Sequence, residues 1–201
     1  MMDRIIENAK DFAKDIFSAD SSGHDYHHTL RVWALARTIG EAEGADMAVV
    51  ELAALLHDVD DHKLSPDTAE NKDRAAGFLR SQGVAEDKIK EILRIIDRIS
   101  FSRNTLPPDT LEGKCVQDAD RLDALGAIGV ARTFAFGGSH GRAIHDPEGQ
   151  DRGSSIAHFY DKLLLLKDRM NTETGRRMAL HRHEYLKNFL AEFLSEWDGK
   201  C

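Results

Sequence analysis

Leu55-Leu56-His57-Asp58-Val59-Asp60-Asp61 closes an apolar run that begins at Val49. Within two residues the character of the chain changes. A greasy helix delivers an imidazole and a carboxylate side by side, then two more acids. An unpaired buried carboxylate costs several kcal/mol or is forced to protonate. A pair of this kind at the end of a core helix therefore calls for a counter-charge. A metal ion supplies one, since neutral imidazole and carboxylate are both ligands.

The segment upstream, about Asp46 to Val59, is apolar on nearly all sides at its centre, which is the pattern of a central buried helix. Around it the 3.6-residue period recurs. Ile5, Ile6, Ala9, Phe12, Ala13 and Ile16 share one face of a helix over residues 2–17. A second helix runs from about Asp25 to Ala42 and stops at Gly44. Ser65-Pro66-Asp67 starts a helix that ends near Ser81, with proline in its first turn. Residues 86–99 turn Ile89, Ile92, Leu93 and Ile96 inward. Leu106-Pro107-Pro108 interrupts. Leu111 to about Phe134 reads as helix, bent near Gly126 or Gly129. Residues 137–153 form the longest expected loop, rich in glycine and holding His140 and His145. Two last helices come after it, Ser154–Met170, with Leu163 to Leu166 in the core, and Thr172–Trp197. The expected fold is all-α, one bundle of about eight helices spanning residues 1–201 as a single domain.

The 201 residues suffice for one domain with a real core. A net charge of −8 and a pI of about 5.7 argue against a nucleic-acid duplex or an anionic membrane as the main partner. Neither excludes a small phosphorylated ligand in a local basic pocket. The two cysteines, Cys115 and Cys201, make neither a disulfide framework nor a thiolate metal site. With no signal peptide and no long apolar run, a cytoplasmic protein is expected. It would be a monomer or a homodimer.

Three segments offer ligands in order. His28 lies in His27-His28-Thr29-Leu30-Arg31-Val32, His57 and Asp58 end the central helix, and Asp120 lies in Asp118-Ala119-Asp120-Arg121-Leu122-Asp123. Helices of a bundle can aim such groups at one centre. Two nitrogens and two oxygens with room for water suit a single divalent ion, manganese first, with cobalt, nickel, iron or magnesium as alternatives.

These motifs resemble the HD-domain superfamily of metal-dependent phosphohydrolases, and among them the small stand-alone bacterial members, including nucleotide pyrophosphohydrolases. The likeness runs through His-x-x-x-His-His-x-x-Arg-Val at 24–32, His-Asp-x-x-Asp at 57–61, Gln-Asp-Ala-Asp-Arg-Leu-Asp-Ala at 117–124 and His-Phe-Tyr-Asp-Lys-Leu at 158–163, to Arg182 beyond. It implies His28, His57, Asp58 and Asp120 as metal ligands, in preference to His24, His27 or Asp118. Binuclear members of the superfamily carry further histidines between the His-Asp pair and the last aspartate. Here only His62 lies there, which points to one ion.

Phosphate chemistry needs cations and a proton acceptor near the ion. Arg31, one helical turn beyond His28, is the candidate phosphate contact. Asp61, three residues after Asp58, is the candidate base for the attacking water. Lys63, Arg121, Asp123 and Lys162 are further candidates for substrate contact. The expected activity is a nucleoside-triphosphate pyrophosphohydrolase. The alternatives are a 5′-deoxynucleotidase or other phosphomonoesterase, and a metal- and nucleotide-binding sensor without turnover.

Overall fold

The computed structural model describes residues 1–17, 26–60, 72–99, 107–148 and 153–200. Among these residues all regular structure is helical. In order come α1 (Met2–Phe17), α2 (Tyr26–Glu43), α3 (Met47–Leu56), α4 (Asp73–Ser81), α5 (Glu86–Ile99), α6 (Leu111–Asp123), α7 (Gly126–Ser139), α8 (Ser155–Asp161), a 3₁₀ helix (Leu163–Arg169) and α9 (Glu173–Trp197). The all-α expectation holds. The chain forms two compact units, Met1–Asp120 and Arg121–Cys201.

In the first unit α3 is the centre. Val49, Val50 and the whole run Leu52–Leu56 are buried, and α1, α2 and α5 pack on it. Asp46 starts the helix by accepting from the backbone N–H groups of Ala48 and Val49, at 3.1 and 3.4 Å. This is the N-cap arrangement that satisfies otherwise orphaned donors. Helix α2 lies close against α3 because Gly40 has no side chain. A Cβ there would sit 3.0 Å from Met47 Sδ. The Trp33 indole N–H donates to Glu51 at 2.7 Å and ties the same two helices farther along. Helix α6 is set by Gln117, which donates to the Arg98 carbonyl at 3.2 Å, and by Glu112, which accepts from the Asp46 N–H at 3.0 Å. These ties give α2, α3 and α6 defined places before any ligand is considered.

Two expectations change in this unit. The helix foreseen from Ser65-Pro66-Asp67 to Ser81 does not run unbroken, because Lys72 adopts a left-handed conformation (φ 56°) and α4 starts at Asp73. Ser65, Pro66 and Asp67 lie outside the described residues. On α5 the inward face is Ile89, Ile92, Ile95, Ile96 and Ile99, while Leu93 is only half-buried.

The stretch foreseen as one bent helix from Leu111 to about Phe134 is two helices, α6 and α7. Gly126 has φ +71°, which L side chains rarely adopt, and a Cβ on Gly129 would lie 2.2 Å from the Ala124 carbonyl oxygen. Glycine at both positions lets α6 end and α7 begin within a few residues. The buried ring of Phe159 and the half-buried rings of Phe134, Phe189 and Phe193 form an aromatic cluster, with centroids about 6 Å apart. Of the two loop histidines, His145 joins this cluster at Phe193, with centroids 6.0 Å apart. His140 stacks on Phe136 at 3.9 Å, and His145 meets Trp197 edge-on at 5.0 Å. The expected helix Ser154–Met170 breaks at Lys162 and continues as 3₁₀. Its three-residue repeat puts Leu163 and Leu166 in the core and leaves Leu165 exposed, so Leu163–Leu166 is not core throughout.

Candidate metal centre

His28 sits in the first turns of α2 and is fully buried. His57 comes directly after the last residue of α3, and Asp58 stands next in a turn over residues 57–60. Asp120 lies near the C-terminal end of α6. All four belong to the first unit, and the structure brings them together. His28 Nε2 is 3.6 Å from Asp58 Oδ2 and 3.5 Å from Asp120 Oδ1. His57 Nε2 is 3.2 Å from Asp58 Oδ2. His28, His57 and Asp120 each offer one ligand atom, and all of these lie within 4.8 Å of one another.

The spacings of 3.2, 3.5 and 3.6 Å are close to those between neighbouring ligands of one ion. Ligands held about 2.1 Å from an ion stand about 3 Å apart when adjacent and about 4.2 Å apart when opposed. The two imidazoles form a dry floor, and the carboxylates, with side chains 15% and 27% exposed for Asp58 and Asp120, form the rim. The His57 Nδ1 lies 2.8 Å from the Ala54 carbonyl. With Nδ1–H donating there, Nε2 carries the lone pair that faces the two aspartates, which is the usual way a backbone carbonyl orients a metal-binding histidine. Burial pulls the pKa of His57 down. The Asp58 carboxylate beside it outweighs burial, helped by Asp120 and the Ala54 carbonyl, and raises it to about 9. Imidazole and carboxylate here hold a proton where an ion would fit.

Arg31 is half-buried on α2, three residues beyond His28. Asp61 and Lys63 lie outside the described residues. Lys162 is half-buried where α8 gives way to the 3₁₀ helix. Arg121 donates through Nη1 to the Arg169 carbonyl. Asp123, a candidate for substrate contact, is 1% exposed and accepts from Arg132 Nη1 at 2.7 Å.

Sequence reading missed Arg132 and gave Arg182 no role. Arg182 Nη1 donates to the Leu122 carbonyl at 2.5 Å, and its stem packs where a Cβ on Gly126 would be, 3.3 Å from Arg182 Cβ. It thus caps the end of α6 from α9. Burial lowers the pKa of Arg182, against the pull of the Asp123 charge. Nothing in the sequence separates these two arginines from exposed ones. Removing Arg132 strips Asp123 of a buried ion pair, so Arg132→Ala is expected to cost about 3 kcal/mol in urea unfolding. A change below about 0.5 kcal/mol would mean the pair carries little.

Residues 25–125, which contain all four gathered side chains, match the family model of the HD domain. The chain belongs to the HD-domain superfamily. HD domains bind divalent metals. The Bacillus subtilis protein YpgQ is 43% identical over 201 residues, covering 96% of this chain and 94% of its own. A solved HD-superfamily hydrolase from Bacillus thuringiensis is 42% identical with a TM-score of 0.84, covering 98% of this chain and 99% of its own. The structure of YpgQ in complex with ADP superposes with a TM-score of 0.83 at 37% identity, covering 97% of this chain and 95% of that one. Among the described residues of this HD-superfamily protein no helix is long and apolar enough to cross a membrane.

Proposed function

We propose that this chain is a metal-dependent phosphohydrolase of nucleotides, first of all a nucleoside-triphosphate pyrophosphohydrolase, in which His28, His57, Asp58 and Asp120 hold one divalent ion. The observation that carries the reading is the coordination-shell spacing of two imidazole nitrogens and two carboxylate oxygens, with one imidazole aimed by a backbone carbonyl. The donor set of borderline nitrogen and hard oxygen suits manganese, with cobalt, nickel, iron and magnesium as alternatives. The ADP complex of YpgQ supports a nucleotide ligand here. We read residues 1–201 as a single HD-type domain, and relatives matched over 94% and 99% of their own length share that extent.

Once bound, the ion supplies Lewis acidity to a phosphoryl oxygen and acidifies water. The chain's own groups do the rest. Arg31, one turn beyond His28 on the same helix face, neutralises phosphate charge. Asp61 accepts the proton of the attacking water. Lys63, Arg121 and Lys162 bind the remaining phosphate oxygens. The buried His28 and His57 keep the floor dry, so the charges at the rim act in a low dielectric.

The test is a nucleotide panel with Mn²⁺, with orthophosphate and pyrophosphate measured separately. Pyrophosphate from triphosphates is expected. Orthophosphate from deoxynucleoside monophosphates alone would make it a nucleotidase. A metal-dependent melting shift with neither product would make it a sensor.

A further inference from the structure

Asp60 stands among three acids at 58, 60 and 61, yet it faces a different task. It is 2% exposed, and both its oxygens are engaged by backbone. Oδ1 accepts from the Arg74 N–H at 3.2 Å and Oδ2 from the Ala75 N–H at 3.0 Å. Helix α4 needs those acceptors. Its own N-cap residue, Lys72, is left-handed and makes no side-chain cap. First-turn N–H groups of a helix have no partner within it. A carboxylate fourteen residues upstream supplies them.

The four gathered side chains are not equally anchored. His28 and Asp120 project from helices. His57 is held by the end of α3 and by the Ala54 carbonyl. Asp58 projects from the four-residue turn that follows α3. Upstream that turn has the Val59 N–H on the Leu56 carbonyl at a long 3.3 Å. Downstream it has the Asp60 carboxylate.

We propose that Asp60 is a positioning residue for the metal centre: by clamping the end of the 57–60 turn onto the start of α4, it holds Asp58 at ligand distance from both imidazoles. This rests on the reading of His28, His57, Asp58 and Asp120 as metal ligands. With its two oxygens taken, Asp60 is not a further ligand. It acts through the backbone of the turn, and Asp58 is the group it governs.

The test is Mn²⁺ titration monitored by the electron paramagnetic resonance of the free ion, alongside thermal melting. Asp60→Ala is expected to weaken Mn²⁺ binding about tenfold or more, the size of effect seen when support behind a ligand is lost. Asp60→Asn keeps an acceptor oxygen and is expected to fall between it and the parent. Phe78→Leu loosens α4 where Phe78 stacks on Phe12 at 4.7 Å, without touching the clamp. It should lower the melting temperature and leave Mn²⁺ affinity within about twofold. In an Asp58→Asn background, Asp60→Asn should weaken binding little further, because the residue it positions is already lost. If Asp60→Asn and Asp60→Ala bind Mn²⁺ like the parent, the clamp has no bearing on the site. The same conclusion holds if Phe78→Leu matches the loss, or if the Asp58 and Asp60 effects add in full. Parent protein and His57→Ala binding Mn²⁺ equally would be a different failure, that of the metal centre itself, and the proposal would go with it.

Discussion

Replacing His57 by alanine is expected to abolish stoichiometric Mn²⁺ binding and to cut nucleotide hydrolysis by at least about 10³-fold, or about 4 kcal/mol of barrier. The size comes from where this imidazole stands. It is on the buried floor, within 3.2 Å of Asp58 Oδ2, with its tautomer set by Ala54. Its loss removes a ligand nitrogen and leaves His28 as the one remaining imidazole of the four gathered side chains, beside the Asp58 and Asp120 carboxylates. Asp58→Asn should cut hydrolysis similarly and weaken Mn²⁺ binding strongly without removing it, because an amide oxygen keeps the shape and loses the charge that offsets the ion. The melting temperature of metal-free His57→Ala separates a lost ligand from a lost fold. A folded variant with unchanged Mn²⁺ stoichiometry and turnover would end the phosphohydrolase reading.

The reason His57 could be singled out from the sequence is that burial and charge conflict there. Seven of the residues from Val49 to Leu56 are buried, so positions 57 and 58 put polar groups at the very edge of a core. That conflict is visible in one dimension. So is the period of α1 and α5, whose apolar faces repeat every three or four residues. What sequence could not show depends on partners far along the chain. In the sequence Asp60 reads as one more acid after the His-Asp pair, and Asp123 as a candidate substrate contact. One caps α4 from fourteen residues away, and the other is buried by Arg132 from the next helix. The break between α6 and α7 was half legible. Glycines at 126 and 129 marked the region, but whether the helix bends or ends is decided by the Ala124 carbonyl lying where a Gly129 side chain would be. The exposure of Leu165 was hidden for a similar reason. A four-leucine run looks like core under any period, and only the 3₁₀ geometry turns that residue outward.

Metal binding should be strongly pH-dependent, with Mn²⁺ affinity rising about tenfold per pH unit from about 6.5 to 8.5 and levelling off above about 9. The cause lies in His57. Burial lowers its pKa, but the Asp58 and Asp120 carboxylates reverse this and bring it to about 9. At neutral pH the ring of the metal-free protein is therefore protonated, and the ion must displace that proton. Calorimetry in buffers of different ionisation enthalpy should give release of close to one proton per Mn²⁺ from this ring at pH 7.5, falling as the pH approaches 9.5. Stability carries the opposite sign in the two states. In the metal-free protein the raised pKa contributes stability that is fully present below about 6.5 and is lost as pH rises through about 9. With metal present, the linkage adds stability that grows with affinity, so the melting shift on adding Mn²⁺ should widen with pH. Asp58→Asn removes the largest upward influence on His57. Whatever weak binding it retains should level off at a lower pH than in the parent, since burial then pulls the ring toward its neutral form. Proton release that does not change between pH 6.5 and 9.5 would show that His57 is not the group the ion displaces.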